Sequence, residues 1–342
     1  MNCLLLLTLA LLPAGNDLRV GAAMVEITPP VSYRLAGRDH EVMSRGVHDP
    51  LHAKAIAWRQ GEIEAVLVVC DLCGIGREPS DPTRIRVSER TGIPVSHVVI
   101  SATHTHGGPE YYGPLRDNGH QVSIEQAGRD SHETVDYSAF LVKSIREAVA
   151  SARERAMPVE VEVVVSRVPG LSLNRRFHMR NGSVVFNPGK KNPDIVRPAG
   201  PVDEDFPVLL FRDSATHKPA SSRSVFPMQV ATFSGNSSFG ADFPGVLQER
   251  LAKRYGTGFV SVFGEGTAGD TNHVNVDSAE PQDGRTERTR IGNVLAEAFI
   301  GVEDTLQSAG PPKLTAASAR VPIPSIEITE AELPSAQDLM QK

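Results

Sequence analysis

The chain has 342 residues, 40% of them hydrophobic, enough to bury a full core in one large domain or two. Its 35 Lys and Arg stand against 41 Asp and Glu, a net charge of −6. No basic patch, arginine-rich segment or aromatic-basic interleaving is visible, which argues against a nucleic-acid partner.

Residues 1–15 carry an apolar run of about ten residues, too short to span a bilayer and of the length of a signal-peptide core. An export signal and a secreted or periplasmic location are therefore expected. Residues 63–72 form a nearly unbroken apolar run, the pattern of a strand buried on both faces. A helix follows, with Asp81 as its cap, Pro82 at its first position and Gly92 at its stop. Residues 97–103 are a second buried strand, so the order is βαβ with two parallel strands. Ligands of such sheets collect beyond the carboxyl ends of strands, where Asp71, His104 and His106 all fall. At the end of a strand, His104 and His106 point to the same face. Imidazole binds zinc or moves protons near neutral pH, so the pair marks a candidate metal-dependent or acid-base site. Cys70 and Cys73 lack the helix start of a redox motif and the second pair of a zinc motif, and are read as small core residues.

Residues 137–156 have an amphipathic pattern and are expected to pack on the sheet. Strands are expected at 159–168, 206–212 and 259–263. Between the first two come Asn174-Arg175-Arg176-Phe177, whose arginines could clamp an oxyanion or carboxylate, and a Pro/Gly-rich loop or lid over 187–201. Asp242 can cap a helix from about Pro244 to Gly256. The glycine-rich turn at 264–273 lacks the Gly-Lys-Ser/Thr ending of a phosphate loop. Its expected use is to bring backbone close to a site, with Asp270 and His273 as groups that support the ligands. A last helix is expected over 286–307, then a Pro-rich tail in which 314–321 could add an edge strand. The fold class is thus α/β, with mixed sheets and βαβ units flanked by helices. The main domain is expected over 16–306, with a tail over 307–342.

Six segments occur in an order that resembles the neutral/alkaline non-lysosomal ceramidase family: residues 21–30 (GAAMVEITPP), 46–55 (GVHDPLHAKA), 101–109 (SATHTHGGP), 174–177 (NRRF), 241–245 (ADFPG) and 263–270 (FGEGTAGD). The resemblance covers the chain from about Gly21 to about Val276 and is to that family's N-terminal domain. It implies a zinc amide hydrolase that splits an N-acylsphingosine, or a related amide, into fatty acid and amine. It makes His104 a zinc ligand, puts His106 beside the substrate and gives Arg175 a supporting role at the reacting carbonyl. The partner implied is a small amide or lipid, with peripheral membrane contact for access to it and no protein partner. The chain also departs from the family. Gln229 or Val230 falls where a second histidine ligand is expected, and no Pro-Gly-Glu motif or tyrosine follows the last helix to supply the remaining ligands. His48 and His52 are the candidates to replace them. Two functions stand side by side: a zinc-dependent amide hydrolase, and a non-catalytic or truncated relative that keeps a pocket and acts as a binding protein. An amidohydrolase barrel would also use His-x-His, but eight regular βα units are not discernible.

Overall fold

A computed structural model describes residues 17–233, 235–324 and 329; the expected export signal lies outside them. The first half of the chain forms β1 (Arg19–Glu26), β2 (Gly46–Val47), β3 (His52–Gln60), β4 (Ile63–Cys70), α1 (Arg77–Thr91), β5 (Val98–Ala102), α2 (Pro114–Ala127) and α3 (Tyr137–Glu154). The second half begins with β6 (Met157–Arg167), β7 (Leu173–Asn174), β8 (Arg176–Met179), β9 (Val184–Phe186), β10 (Ile195–Pro198), β11 (Asp205–Asp213) and β12 (Pro219–Val225). It closes with β13 (Ser238–Phe239), α4 (Asp242–Tyr255), β14 (Val260–Gly264), β15 (Thr271–Asn272), α5 (Gly284–Gly301) and β16 (Gln307–Ser308). The expected α/β class with mixed sheets holds. Among the described residues, no helix is long and apolar enough to cross a membrane.

The main sheet has the order β14-β12-β11-β6-β1-β3-β4-β5, with β16 beside β6. Its two halves join only where Arg19 and Val20 of β1 meet Pro158 and Met157 of β6. Beyond that join the halves fold onto each other, so that Ile56 and Val69 of one pack with Val161, Phe211, Val260 and Val262 of the other. Helices cover the outer faces. The α3 helix lies on β1 and β3, while α4 and α5 pack together with β14 and β6 beneath them. The result is four layers, helix on sheet on sheet on helix, which explains why 63–72 reads as apolar on both faces. A Cβ on Gly21 would lie 2.1 Å from the Ala152 carbonyl oxygen, so only glycine lets α3 sit this close to β1.

The βαβ unit is present, with β4 and β5 parallel. Its helix departs from expectation: α1 starts at Arg77 and contains Pro82, while Gly92 closes it in a left-handed conformation. Pro82 this near the helix start forfeits one hydrogen bond only, to the carbonyl of residue 78. Asp81 sits on the helix surface beside Arg77 and Arg84 instead of capping it. The α2 helix was not anticipated because it buries no residue and so has no apolar stripe. The last helix ends at Gly301 rather than 307, and Gln307–Ser308 pairs with β6. No strand forms over 314–321; the side chain of Gln60 instead holds the Pro312 carbonyl (2.8 Å) and the Leu314 amide (2.7 Å).

Candidate functional site

The strands β12 and β14 are parallel, as β4 and β5 are, and the carboxyl ends of all four lead into the loops that carry the candidate residues. Loop 103–109, after β5, is sewn to the segment after β12. The His106 amide donates to the Val230 carbonyl (3.1 Å), the Thr105 hydroxyl to the Gly240 carbonyl (2.8 Å), and the Gly240 amide to the Gly107 carbonyl (3.0 Å). Asp242, buried and at φ 57°, ties the other side, accepting from the Thr232 amide (2.8 Å), the Thr232 hydroxyl (2.6 Å) and the Phe243 amide (2.6 Å). Asp242 therefore satisfies a donor of the first turn, as a cap would, but from the first residue of α4 itself.

His104 and His106 do not lie on the strand, which ends at Ala102. They converge for another reason: His104 has φ 67°, a left-handed conformation that turns the chain so that the two rings meet edge to face, with centroids 5.2 Å apart. Such backbone is uncommon for histidine and costs of order 1–3 kcal/mol, which the sewn loop must hold. The Nδ1–H of His104 donates to the Cys73 carbonyl (2.6 Å), fixing the tautomer that leaves an Nε2 lone pair. The Gln229 amide nitrogen then donates to Nε2 of His104 (2.8 Å) and Nε2 of His106 (3.1 Å). Both lone pairs are aimed at one point. Of the two residues expected near the second histidine's place, Gln229 or Val230, it is Gln229 whose side chain reaches both rings, while Val230 is buried and offers only its carbonyl to the His106 amide.

His106 lines a cavity of about 580 Å³ together with Gln229, Arg175, Phe177, Phe186 and His273. His104 is set behind it. A Cβ on Gly37 would fall 2.5 Å from the His106 ring, so this glycine, at φ 72°, is the floor on which the imidazole lies. Burial, His104, Arg38 and Arg175 together push His106 down to about 4, so its ring is neutral near pH 7. Arg175 stacks on Phe186, its guanidinium carbon 4.4 Å from the ring centroid, and donates to the Gly269 carbonyl (2.8 Å). Asp270 positions that arginine through the backbone, accepting the Arg175 amide at its carbonyl (2.8 Å) and Asn174 Nδ2 at its carboxylate (3.0 Å). His273 lines the cavity, its Nε2 against the Gln282 carbonyl (2.7 Å) and its buried Nδ1 without a partner.

Asp71 is fully buried below these residues. Its carboxylate faces Lys54 (3.6 Å) and accepts the His52 amide (3.0 Å); it does not touch the His104 and His106 rings. His48 lies beside Asp49 and Arg288, and His52 beside Asp71, so neither joins the pair. Cys70 is a buried core residue. Cys73 is not, since its thiol is part-exposed and 3.9 Å from His104 Nδ1. Burial pushes that thiol up to about 12.

Glu265, in the glycine-rich turn, was not singled out by the sequence. Burial lifts it to about 7, and Arg175 opposes the lift. The only sign of it in the sequence was a carboxylate amid glycines. Arg38 was missed as well; it donates to the Phe233 and Asn236 carbonyls (2.7 Å each) and leaves Nε and Nη1 buried and unpartnered near His106.

Cys73, His104 and His106 offer ligand atoms within 4.8 Å of one another. Nitrogen and sulfur donors of this kind are compatible with zinc, and the pinned His104 tautomer is the arrangement that metal-binding histidines adopt. His120, Asp130 and Glu133 form a second such group. Arg34 and Arg116 already pair with those two carboxylates, so it is an ion-pair network with its charge largely compensated.

No protein-family model matches the chain, and no curated protein does. Solved structures similar to it include two ceramidases. One is a ceramidase complexed with C2, with a TM-score of 0.65 and 19% identity over 84% of this chain and 44% of that one. The other is the neutral ceramidase from Pseudomonas aeruginosa, with a TM-score of 0.63 and 20% identity over 84% of this chain and 45% of that one. This chain spans less than half the length of either. At this identity the likeness is one of architecture: the chain has a ceramidase-like fold.

Proposed function

We propose that this protein hydrolyses the amide of an N-acylated lipid, of the N-acylsphingosine type, in a secreted or periplasmic setting and with zinc held at His104. The observation that carries the reading is the convergence of the His104 and His106 Nε2 lone pairs on the Gln229 amide at the inner end of a cavity with phenylalanines in its wall. His104 would hold the metal, with the Cys73 thiol as a second donor, while His106 keeps its Nε2 for the substrate side. Bound zinc supplies Lewis acidity, acidifying water and polarising a carbonyl.

The chain's own groups do the rest. Neutral His106, on the cavity side, can accept a proton at Nε2 once an acyl group displaces the Gln229 contact. Arg175, held flat against Phe186, offers N–H donors to an oxyanion developing on the carbonyl. Glu265 titrates near pH 7 and can pass protons at the Arg175 end of the site. Phe177, Phe186 and the valines of the wall take the apolar tail.

Gln229 also favours a second reading. Its amide satisfies both imidazoles without any metal, and a thiol pushed up to about 12 yields its proton reluctantly, so the same pocket could bind an amide lipid without cleaving it. One experiment decides between them. The protein is purified with zinc, its metal content measured, and release of fatty acid from a short-chain fluorescent ceramide followed, beside His104→Ala. Hydrolysis proportional to zinc content and abolished in the variant supports the hydrolase. A well-folded protein that takes up no zinc and releases no fatty acid leaves the binding reading.

A further inference from the structure

The strands β8, β9 and β10 form a sheet of their own, in the order β10-β8-β9, which pairs with no strand of the main sheet. We propose that this small sheet is an interfacial lip that docks the mouth of the cavity onto an anionic lipid bilayer. The inference rests on the lipid-amide reading above and names the surface from which such a substrate is taken.

Charge is the first ground. Residues 174–200 contain six Arg or Lys and a single acid, Asp194, in a chain whose net charge is −6. No basic patch is visible in the sequence because these cations are spread over 27 positions; the hairpin fold collects them. Arg176, Arg180, Lys190, Lys191 and Arg197 are all exposed. Lys190 Nζ donates to the Glu280 carbonyl (2.7 Å) and Arg197 to that of Pro198 (3.2 Å), neutral partners that leave the charges uncompensated. The second ground is apolar exposure on the same element: Val184, Val185, Phe186 (52% exposed) and Val196 (58% exposed). Aliphatic side chains interleaved with Lys and Arg suit a headgroup boundary, where the former enter the acyl region and the latter meet lipid phosphate. Nucleic acid fits less well, since it calls for several stacking aromatics, and Phe186, the exposed aromatic of this sheet, has one ring face taken by Arg175. Continuity with the site is the third ground. Phe177, Phe186 and Lys190 belong both to this sheet or its turn and to the cavity wall. The acidic side chains of that wall, Asp39 and Asp283, come from other segments.

The test is co-sedimentation of the full chain with phosphatidylcholine vesicles, with and without phosphatidylglycerol. It is run at low and high salt and repeated for Arg180→Glu/Lys191→Glu/Arg197→Glu and for Val184→Ser/Val196→Ser. The wild-type protein should bind the anionic vesicles, release them at high salt, and lose on the order of a hundredfold in partitioning in the charge-reversed variant. The serine variant should bind more weakly even at low salt. A thermal melt within a few degrees of wild type shows that each variant is folded. Equal binding to both vesicle types, no binding to either, binding that survives charge reversal, or binding to single-stranded DNA but not to vesicles would each overturn the proposal. Vesicle binding is read without turnover, so a protein that docks but does not hydrolyse would sink the enzymatic reading alone.

Discussion

His104 illustrates how much of the site rests on single residues. A left-handed histidine, a glycine under its neighbour and a glutamine between the two imidazoles bring together groups that strand geometry would have left pointing along a rim. Gln229 tests the arrangement directly. Gln229→His supplies a third imidazole where the amide now bridges the first two, so zinc should bind at least tenfold more tightly, as read by isothermal titration calorimetry. Unchanged affinity would mean that His104 Nε2 and the side chain at position 229 do not face a common metal position. Glu265 provides a test in pH. Its folded value, about 7, lies above its ordinary 4.5, so between these values the folded state holds a proton that the unfolded state has released. That contribution to stability is present below pH 4.5 and is lost as pH rises through 7. Glu265→Gln should flatten this fall in chemical denaturation at stepped pH. His106 acts in the opposite sense: with its folded value near 4, it costs stability as pH drops below 6.5, where the unfolded ring charges first. The Glu265→Gln protein should therefore show the acid-side loss more plainly than wild type does.

At the scale of elements, the outer helix α3 is held against β1 by a contact that admits no side chain. Gly21→Val would drive a branched Cβ into the Ala152 carbonyl, and we expect a loss of about 3 kcal/mol or more in urea unfolding, at the upper end of overpacking costs. A loss under about 1 kcal/mol would show that α3 can shift outward freely. The strands β4, β6, β11 and β14 are legible from their apolar runs or alternation, and so is β5, but β5 is not the buried strand expected: it lies at the edge of the sheet with only Val98 buried and Val99 53% exposed. Their neighbours β1 and β3 carry small residues and a Lys54 that ends up buried against Asp71, and no local pattern announces that exchange. The α1 start was misplaced for a similar reason. A capping-and-proline signal states a local preference, and one lost hydrogen bond near a helix end is a small term beside the burial of Pro79, Thr83 and Val87.

For the whole molecule, the central observation is that the two halves of one sheet fold onto each other and share a seam. Trp58, the single tryptophan, sits at that seam edge-on to Phe211 of the other half, with ring centroids 6.4 Å apart. If the seam unites the halves, tryptophan fluorescence and far-UV circular dichroism should report the same denaturant midpoint. Ile56→Ala, which empties part of the seam, should lower both midpoints together, by an amount equivalent to about 2–5 kcal/mol of unfolding free energy. Two separated transitions would mean that the halves unfold independently. The sequence by itself determined the α/β class, the parallel β4–α1–β5 unit and the identity of His104, His106 and Arg175 as the residues to watch. Each of these depends on periodicity, punctuation or short motifs, which are local properties of the chain. Only the tertiary structure decided that Gln229 bridges the imidazoles, that Glu265 is lifted by burial beside Arg175, that Asp71 turns away to Lys54, and that scattered cations gather into one lip. Those outcomes depend on which distant segments share a dielectric environment and a hydrogen bond, and side-chain order along the chain carries no record of that.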